Sequence, residues 1–401
     1  MFLLISYIGG NIAYSQKEYR TIRSSLKTGS SLDQTLNQIE KYSKQDKFKD
    51  DPELYQYGVL VCKKLNDTEN EKMYLKQKYD TAKFFSTIYK VYEYALKCDT
   101  KEQIPNSHGK IKFVYRNKNV ELLKVYYNNL RKAGQYYIQK KKYEEAYKYF
   151  SMCMTAIESP MLKNVSYFQN SYIKARIAYW ANICSYANKN SENFFKYDQV
   201  ALLDTANRCQ VMEMRANMYA QKGDTTSMII VLQNGLKEYP SHEYFFSHLI
   251  DYYNAHSLYD KSLSLCNLIL QNDSSSLLAL YAKSVVLLNM QQYDSSISIS
   301  QRILEKDSAY ADAYYNIGVA YCNKAADKEK SMDIGLNYST LKRQRSAINA
   351  LYKEALPYME KFRALSPKAL DKWGIPLYRI YLHLNREKDF KKIDKLLNPD
   401  V

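Results

Sequence analysis

The chain has 401 residues, 46% hydrophobic and 25% charged, with a formal net charge of +16. Its 11 Gly and 8 Pro are too few to punctuate a β-rich or α/β chain of this length, and 41 Tyr supply much of its apolar content. This excludes a sheet-based architecture and points to an all-α chain whose cores use amphipathic aromatics, each needing a place for its hydroxyl. The lysines are scattered and lie near acids, as in Lys140-Lys141-Lys142-Tyr143-Glu144-Glu145. No Arg-rich block or nucleic-acid-binding signature accompanies them, so the net charge does not describe a nucleic-acid surface.

In chain order, residues 1–15 (MFLLISYIGGNIAYS) form an apolar run that ends in the small residues Ala13 and Ser15. That pattern fits a signal peptide cleaved before Gln16, and the run is too short to anchor the chain in a bilayer. Export to the periplasm of a bacterial envelope is therefore the expected location. A cytoplasmic chain beginning with a buried helix is the alternative, weakened by Gly9-Gly10 in its middle. Residues 16–104 read as N-terminal helical hairpins. Within them, 16–50 read as a polar start and one amphipathic helix carrying Leu32, Leu36 and Ile39, and Asp51-Pro52-Glu53 opens another that runs through Leu54, Tyr57, Gly58 and Val61 to about Leu65. Asp67-Thr68-Glu69 reads as a new start, followed by the stripe Phe84, Phe85, Ile88, Tyr92 and Leu96. Residues 105–119, with Pro, Gly and a short alternating run, read as a linker. An extended helix is then expected through Tyr167, Tyr172, Ile173 and Trp180.

The rest of the chain, 120–401, is organised by a repeat. Tyr259–Ser274 and Tyr293–Ser308 match at eight of sixteen positions at an offset of 34. That period belongs to a helix–turn–helix solenoid unit. Gly134 and Ala146 are small where two helices would cross, and Tyr137 and Phe150 would fill the space around the crossing. This spacing resembles the tetratricopeptide repeat (TPR). The register recurs in Ala216, Tyr219, Met228, Leu232 and Pro240, then at Ile250/Tyr253, Ser284/Leu287 and Gly318/Tyr321. After Ala311 the second helix of the unit is displaced, and the matching Ala355, Met359 and Pro367 come 25 residues late. The inserted stretch 327–350 reads as a helical arm, both helices lengthened by about 12 residues and projecting ~18 Å. Trp373–Leu397 reads as the C-terminal capping pair.

The resemblance implies a TPR-like helical-hairpin solenoid, a right-handed superhelix with one lengthened pair, similar to exported TPR proteins of Bacteroidetes-type bacteria. It also implies a concave groove lined by the first helix of each unit. The groove candidates are Asn217 and Gln221; Tyr244, Asp251 and Asn254; Tyr281 and Asn289; and Tyr315 and Asn323. Their amides and rings suit an extended peptide or protein partner. A carbohydrate- or small-ligand-binding envelope protein and a cytosolic regulator are the rival readings. No phosphate loop, nucleophile elbow, paired-carboxylate motif or metal-ligand spacing among the five His is present. The expectation is a non-catalytic scaffold with neither cofactor nor metal. The seven Cys lack the spacing of a disulfide framework and sit in or beside apolar stripes, as small core residues would.

Overall fold

The computed structural model describes residues 18–105, 109–333, 335 and 337–398; the apolar segment 1–15 lies outside the described residues. These contain eighteen α-helices and no strand. The chain divides into two compact units between Val231 and Leu232.

In the first unit, α1 (Arg20–Thr28), α2 (Leu32–Tyr42), α3 (Pro52–Tyr74), α4 (Thr81–Glu102), α5 (Arg116–Gln139) and α6 (Tyr143–Glu158) follow one another. After a 3-10 turn at Ser166–Gln169 come α7 (Ser171–Ala187), α8 (Ser191–Ala201), α9 (Arg208–Gln221) and α10 (Thr225–Glu238), within which the division falls. Gly134 on α5 lies under the Phe150 ring of α6, where a methyl group would stand 2.6 Å from the ring. Only hydrogen fits at that crossing, so the helices can approach closely.

Four expectations need correction here. A helix at 20–28 precedes the one containing Leu32. The polar stretch Asn66–Glu69 does not start a helix but lies inside the 23-residue α3. Its polar groups face α4: Asn66 Nδ2 donates to the Phe84 carbonyl (2.8 Å), and Glu69 Oε2 accepts from the Asp80 amide (2.8 Å). The linker ends at 115, because α5 begins at Arg116, held by a paired hydrogen bond to buried Asp99. Asn170 caps α7 by accepting from the Tyr172 and Ile173 amides, so that helix does not extend back to Tyr167.

The second unit continues with α11 (Glu243–Ala255), α12 (Tyr259–Asn272), α13 (Leu277–Asn289) and α14 (Tyr293–Lys306), helices of 13 or 14 residues. Then come α15 (Ala311–Lys330), α16 (Tyr338–Leu365), α17 (Leu370–His383) and α18 (Glu387–Leu397). The 34-residue period is written into the backbone. Lys189, Gly223, Ser257 and Gln291, each 34 apart, all have positive φ between 54° and 73°. At each, the next residue's amide bonds five residues back, as Asn190 to Ser185, Asp224 to Tyr219, Leu258 to Tyr253 and Gln292 to Leu287. These are Schellman closures ending the first helix of each pair.

The repeated serines have a structural role. Ser262 donates from α12 to Asn254 Oδ1 (2.9 Å), and Ser296 donates from α14 to the Ser284 carbonyl (2.8 Å). Both are fully buried. Asp273 and Asp307, also 34 apart, cap turns by accepting from the Ser275 and Ala309 amides.

The interrupted pair lengthens unequally. α15 has 20 residues and α16 has 28. Asn337 fixes the start of α16 by accepting from the Thr340 amide, and Lys328 and Lys330 suit the end of α15. The first fully buried side chain of α16 is Ile348, so its opening turns stand outside the core. Beyond them, a Cβ on Gly318 would collide with the Met359 side chain, which restores the close crossing 25 residues late.

Candidate binding surfaces

The exposed faces of α9, α11, α13 and α15 carry the sequence-predicted groove residues. The structure brings together three of them. Asp251 and Asn254 on α11 and Tyr281 on α13 line one cavity of about 200 Å³, with Ser247, Leu278 and Val285 beside them. Asn254 accepts from Ser262, which fixes its amide plane and leaves its Nδ2 donors for a ligand. Asp251 is exposed and is the only charged side chain lining the cavity. Burial, then the nearby Asp312 carboxylate, pushes the Tyr281 phenol above its usual range, so it stays a neutral donor.

The remaining candidates lie elsewhere. Asn217 is half-buried on α9, and its Nδ2 donates to the Tyr186 hydroxyl (3.0 Å). Gln221, Asn289 and Asn323 are exposed, the first two as the last residues of α9 and α13 and Asn323 within α15. The Tyr244 ring lies against His248 of its own helix, tilted by 34° with centroids 4.0 Å apart. Tyr315 is drawn inward, its ring centroid 5.0 Å from that of Phe362, with the Lys372 ammonium 5.5 Å from the ring centroid and paired to Asp312 at 3.1 Å. Tyr281 likewise touches Tyr310 (5.8 Å). Both rings therefore hold the fold as well as presenting a surface.

A larger space was not foreseen. A cleft of about 660 Å³ opens between α10 and α12, with α11 as its floor. Its walls are mainly aliphatic, among them Leu236, Leu249, Leu265 and Ile269, and Lys237 and Lys261 stand at its rim. One signal was available. α12 carries Leu268 where the next repeat has the exposed Arg302, giving α12 more apolar surface than one core-facing stripe needs. Leu268 is 51% exposed and lines the cleft.

The cysteine thiols are built into packing. Six of the seven are buried, Cys209 being partly exposed, and no disulfide joins any of them. Burial pushes the thiols of Cys62, Cys184, Cys266 and Cys322 up to about 12, keeping them neutral.

No family model matches the chain, and no curated protein matches it in sequence. Solved structures similar to it are helical-repeat proteins. The C-terminal part of a TPR repeat-containing protein from Cytophaga hutchinsonii is 15% identical, covers 68% of this chain and 96% of its own, and has a TM-score of 0.46. A TPR repeats protein from Bacteroides fragilis is 17% identical over 65% of this chain and 97% of its own, with a TM-score of 0.30. YrrB, described as a TPR protein with an unusual peptide-binding site, is 16% identical over 56% of this chain and 95% of its own, with a TM-score of 0.34. No helix among the described residues is long and apolar enough to cross a membrane.

Proposed function

We propose that this chain is a non-catalytic helical-repeat scaffold that holds a peptide segment of a protein partner against the first-helix faces of its second unit. The observation that carries the reading is the convergence of Asp251, Asn254 and Tyr281 on one cavity from two successive first helices. That cavity pairs a carboxylate and an amide, which can meet peptide N–H and C=O groups, with apolar walls from Ile250, Leu278 and Val285 for a side chain. The test is selection of a displayed random heptapeptide library on the purified chain, followed by rebinding to Asp251→Lys and Asn254→Ala variants. Selected peptides should lose about tenfold or more in affinity on either variant. Peptides indifferent to both would move the site elsewhere.

The same reading places the chain in the cell envelope, supported by the apolar segment 1–15 and the small residues Ala13 and Ser15. N-terminal sequencing of the protein from its native cells should then begin near Gln16. A retained Met1 would overturn export by this signal.

A further inference from the structure

The cleft between α10 and α12 has the size of a binding site and no role in the peptide-holding reading above. Its volume, about 660 Å³, falls within the ~300–1,000 Å³ typical of ligand sites. Three features constrain what can fill it.

The walls are helices, whose backbone N–H and C=O groups are already bonded within each helix. An extended peptide laid over Leu236, Leu265 and Ile269 would lose hydration at its own amides and find no backbone partner. A helix brings its backbone bonds with it and buries only side chains.

The cleft is open on one side, since Leu268 is 51% exposed at its wall. An acyl chain lying there would leave part of its length in water. An amphipathic helix covers the opening with its own polar face.

The rim is basic. Lys237 and Lys261 make no ion pair among the described residues, and the Lys261 ammonium rests 5.9 Å from the Tyr253 ring centroid. Asp260 is the one rim carboxylate, so the lysines outnumber it. Gln233 is tied to the Tyr253 hydroxyl (3.0 Å) and does not neutralise either lysine. An occupant with acids along the edges of its apolar stripe gains two charge pairs at this rim.

We propose that the cleft between α10 and α12 is a docking site for an amphipathic helix of a partner protein, apolar on one face and acidic along its edges. In such a complex Leu268 packs against the apolar stripe and Lys237 and Lys261 pair with the flanking acids. The site stands apart from the Asp251–Asn254–Tyr281 cavity and does not depend on it.

The experiment uses the full chain and a labelled synthetic helix of about fourteen residues, Leu on one face and Glu on both edges. Fluorescence anisotropy should report saturable binding, weakened about tenfold by Leu268→Arg and by Lys237→Glu with Lys261→Glu. Leu268→Arg places at this position the residue that the next repeat carries, so an unchanged thermal melt is the expected folding control. Asp251→Lys should leave the affinity unchanged, which separates this site from the peptide cavity. The proposal is overturned if the helix does not bind, or if Leu268→Arg binds it as well as the parent chain does. Equal binding of a Lys-edged helix or of a helix broken by a central Pro overturns it too. Binding of sodium laurate that depends on Leu268, without binding of the helix, would assign the cleft to an acyl amphiphile instead.

Discussion

The two units use their polar residues differently. In the first, long helices are pinned by buried polar pairs: Asn119 Nδ2 donates to Gln56 Oε1 (2.8 Å), Asn66 reaches across to α4, and the Arg116 guanidinium grips Asp99. Large aromatics such as Tyr19, Tyr92 and Tyr127 are wholly buried there. In the second unit α11 to α14 are short and regular, and the buried polar groups are small: Ser262, Ser284, Ser296, Ser300 and Asn316. Asn316 Nδ2 donates to Ser284 Oγ (2.8 Å), which in turn donates to the Tyr281 carbonyl. Short, evenly spaced helices with small polar contacts leave concave gaps between them, and the cavity at Tyr281 and the cleft at Leu268 are of this kind. In the first unit the polar pins lock long helices together, and the space of about 390 Å³ left beside α2 and α3 is lined by charged side chains, among them Asp33, Glu69, Lys72 and Lys83.

Breaking a pin should therefore have the largest effect on stability. Arg116→Ala leaves the carboxylate of Asp99, 2% exposed, without its cation. The expected loss is about 3 kcal/mol of unfolding free energy, read from urea denaturation. Hydrogen exchange should show the loss in amides of residues 18–231. Equal loss in residues 232–398 would dissolve the distinction between the units.

The glycine crossings sharpen the same comparison. Gly134→Ala forces a methyl against the rigid ring of Phe150, an overpacking cost of ~2 kcal/mol, offset by ~1 kcal/mol of helix propensity. A net loss of about 1 kcal/mol is expected. At Gly318 the neighbour is the flexible thioether of Met359, which can swing aside, so Gly318→Ala should come out near neutral. The reverse order in paired urea titrations would mean that the second unit is packed as stiffly as the first.

Much of this architecture was legible in the residues because it follows from local rules. Apolar periodicity marks helices, and the 34-residue echo marks pairs. Gly134 with Phe150 and Gly318 with Met359 mark crossings, even across the insertion. What escaped depends on partners distant in sequence. Asn66–Glu69 has the composition of a turn, and only the position of α4 shows that it lies inside a helix serving its neighbour. Tyr315 has the spacing of a groove residue, yet Lys372, 57 positions along the chain, and Phe362 draw it into the packing. The cleft at Leu268 is a property of the gap between two helices. A single helix shows only that it has one apolar residue more than its core face requires.

The turns give the smallest expected effects and test whether the repeat is equivalent on both sides of the division. Gly223, at φ 73°, and Gln291, at φ 59°, hold the same left-handed position two repeats apart. Glycine enters that region without a Cβ clash, while Gln pays roughly 1 kcal/mol to do so. Gly223→Ala should accordingly lose about 1 kcal/mol. Gln291→Gly should gain only about 0.5 kcal/mol, because the added freedom of glycine in the unfolded chain cancels part of the relief. Thermal melts of the two variants should therefore shift in opposite directions. A loss at Gln291→Gly would show that the Gln side chain, and not the backbone closure alone, holds that turn. The 34-residue equivalence would then describe the path of the chain but not its energetics.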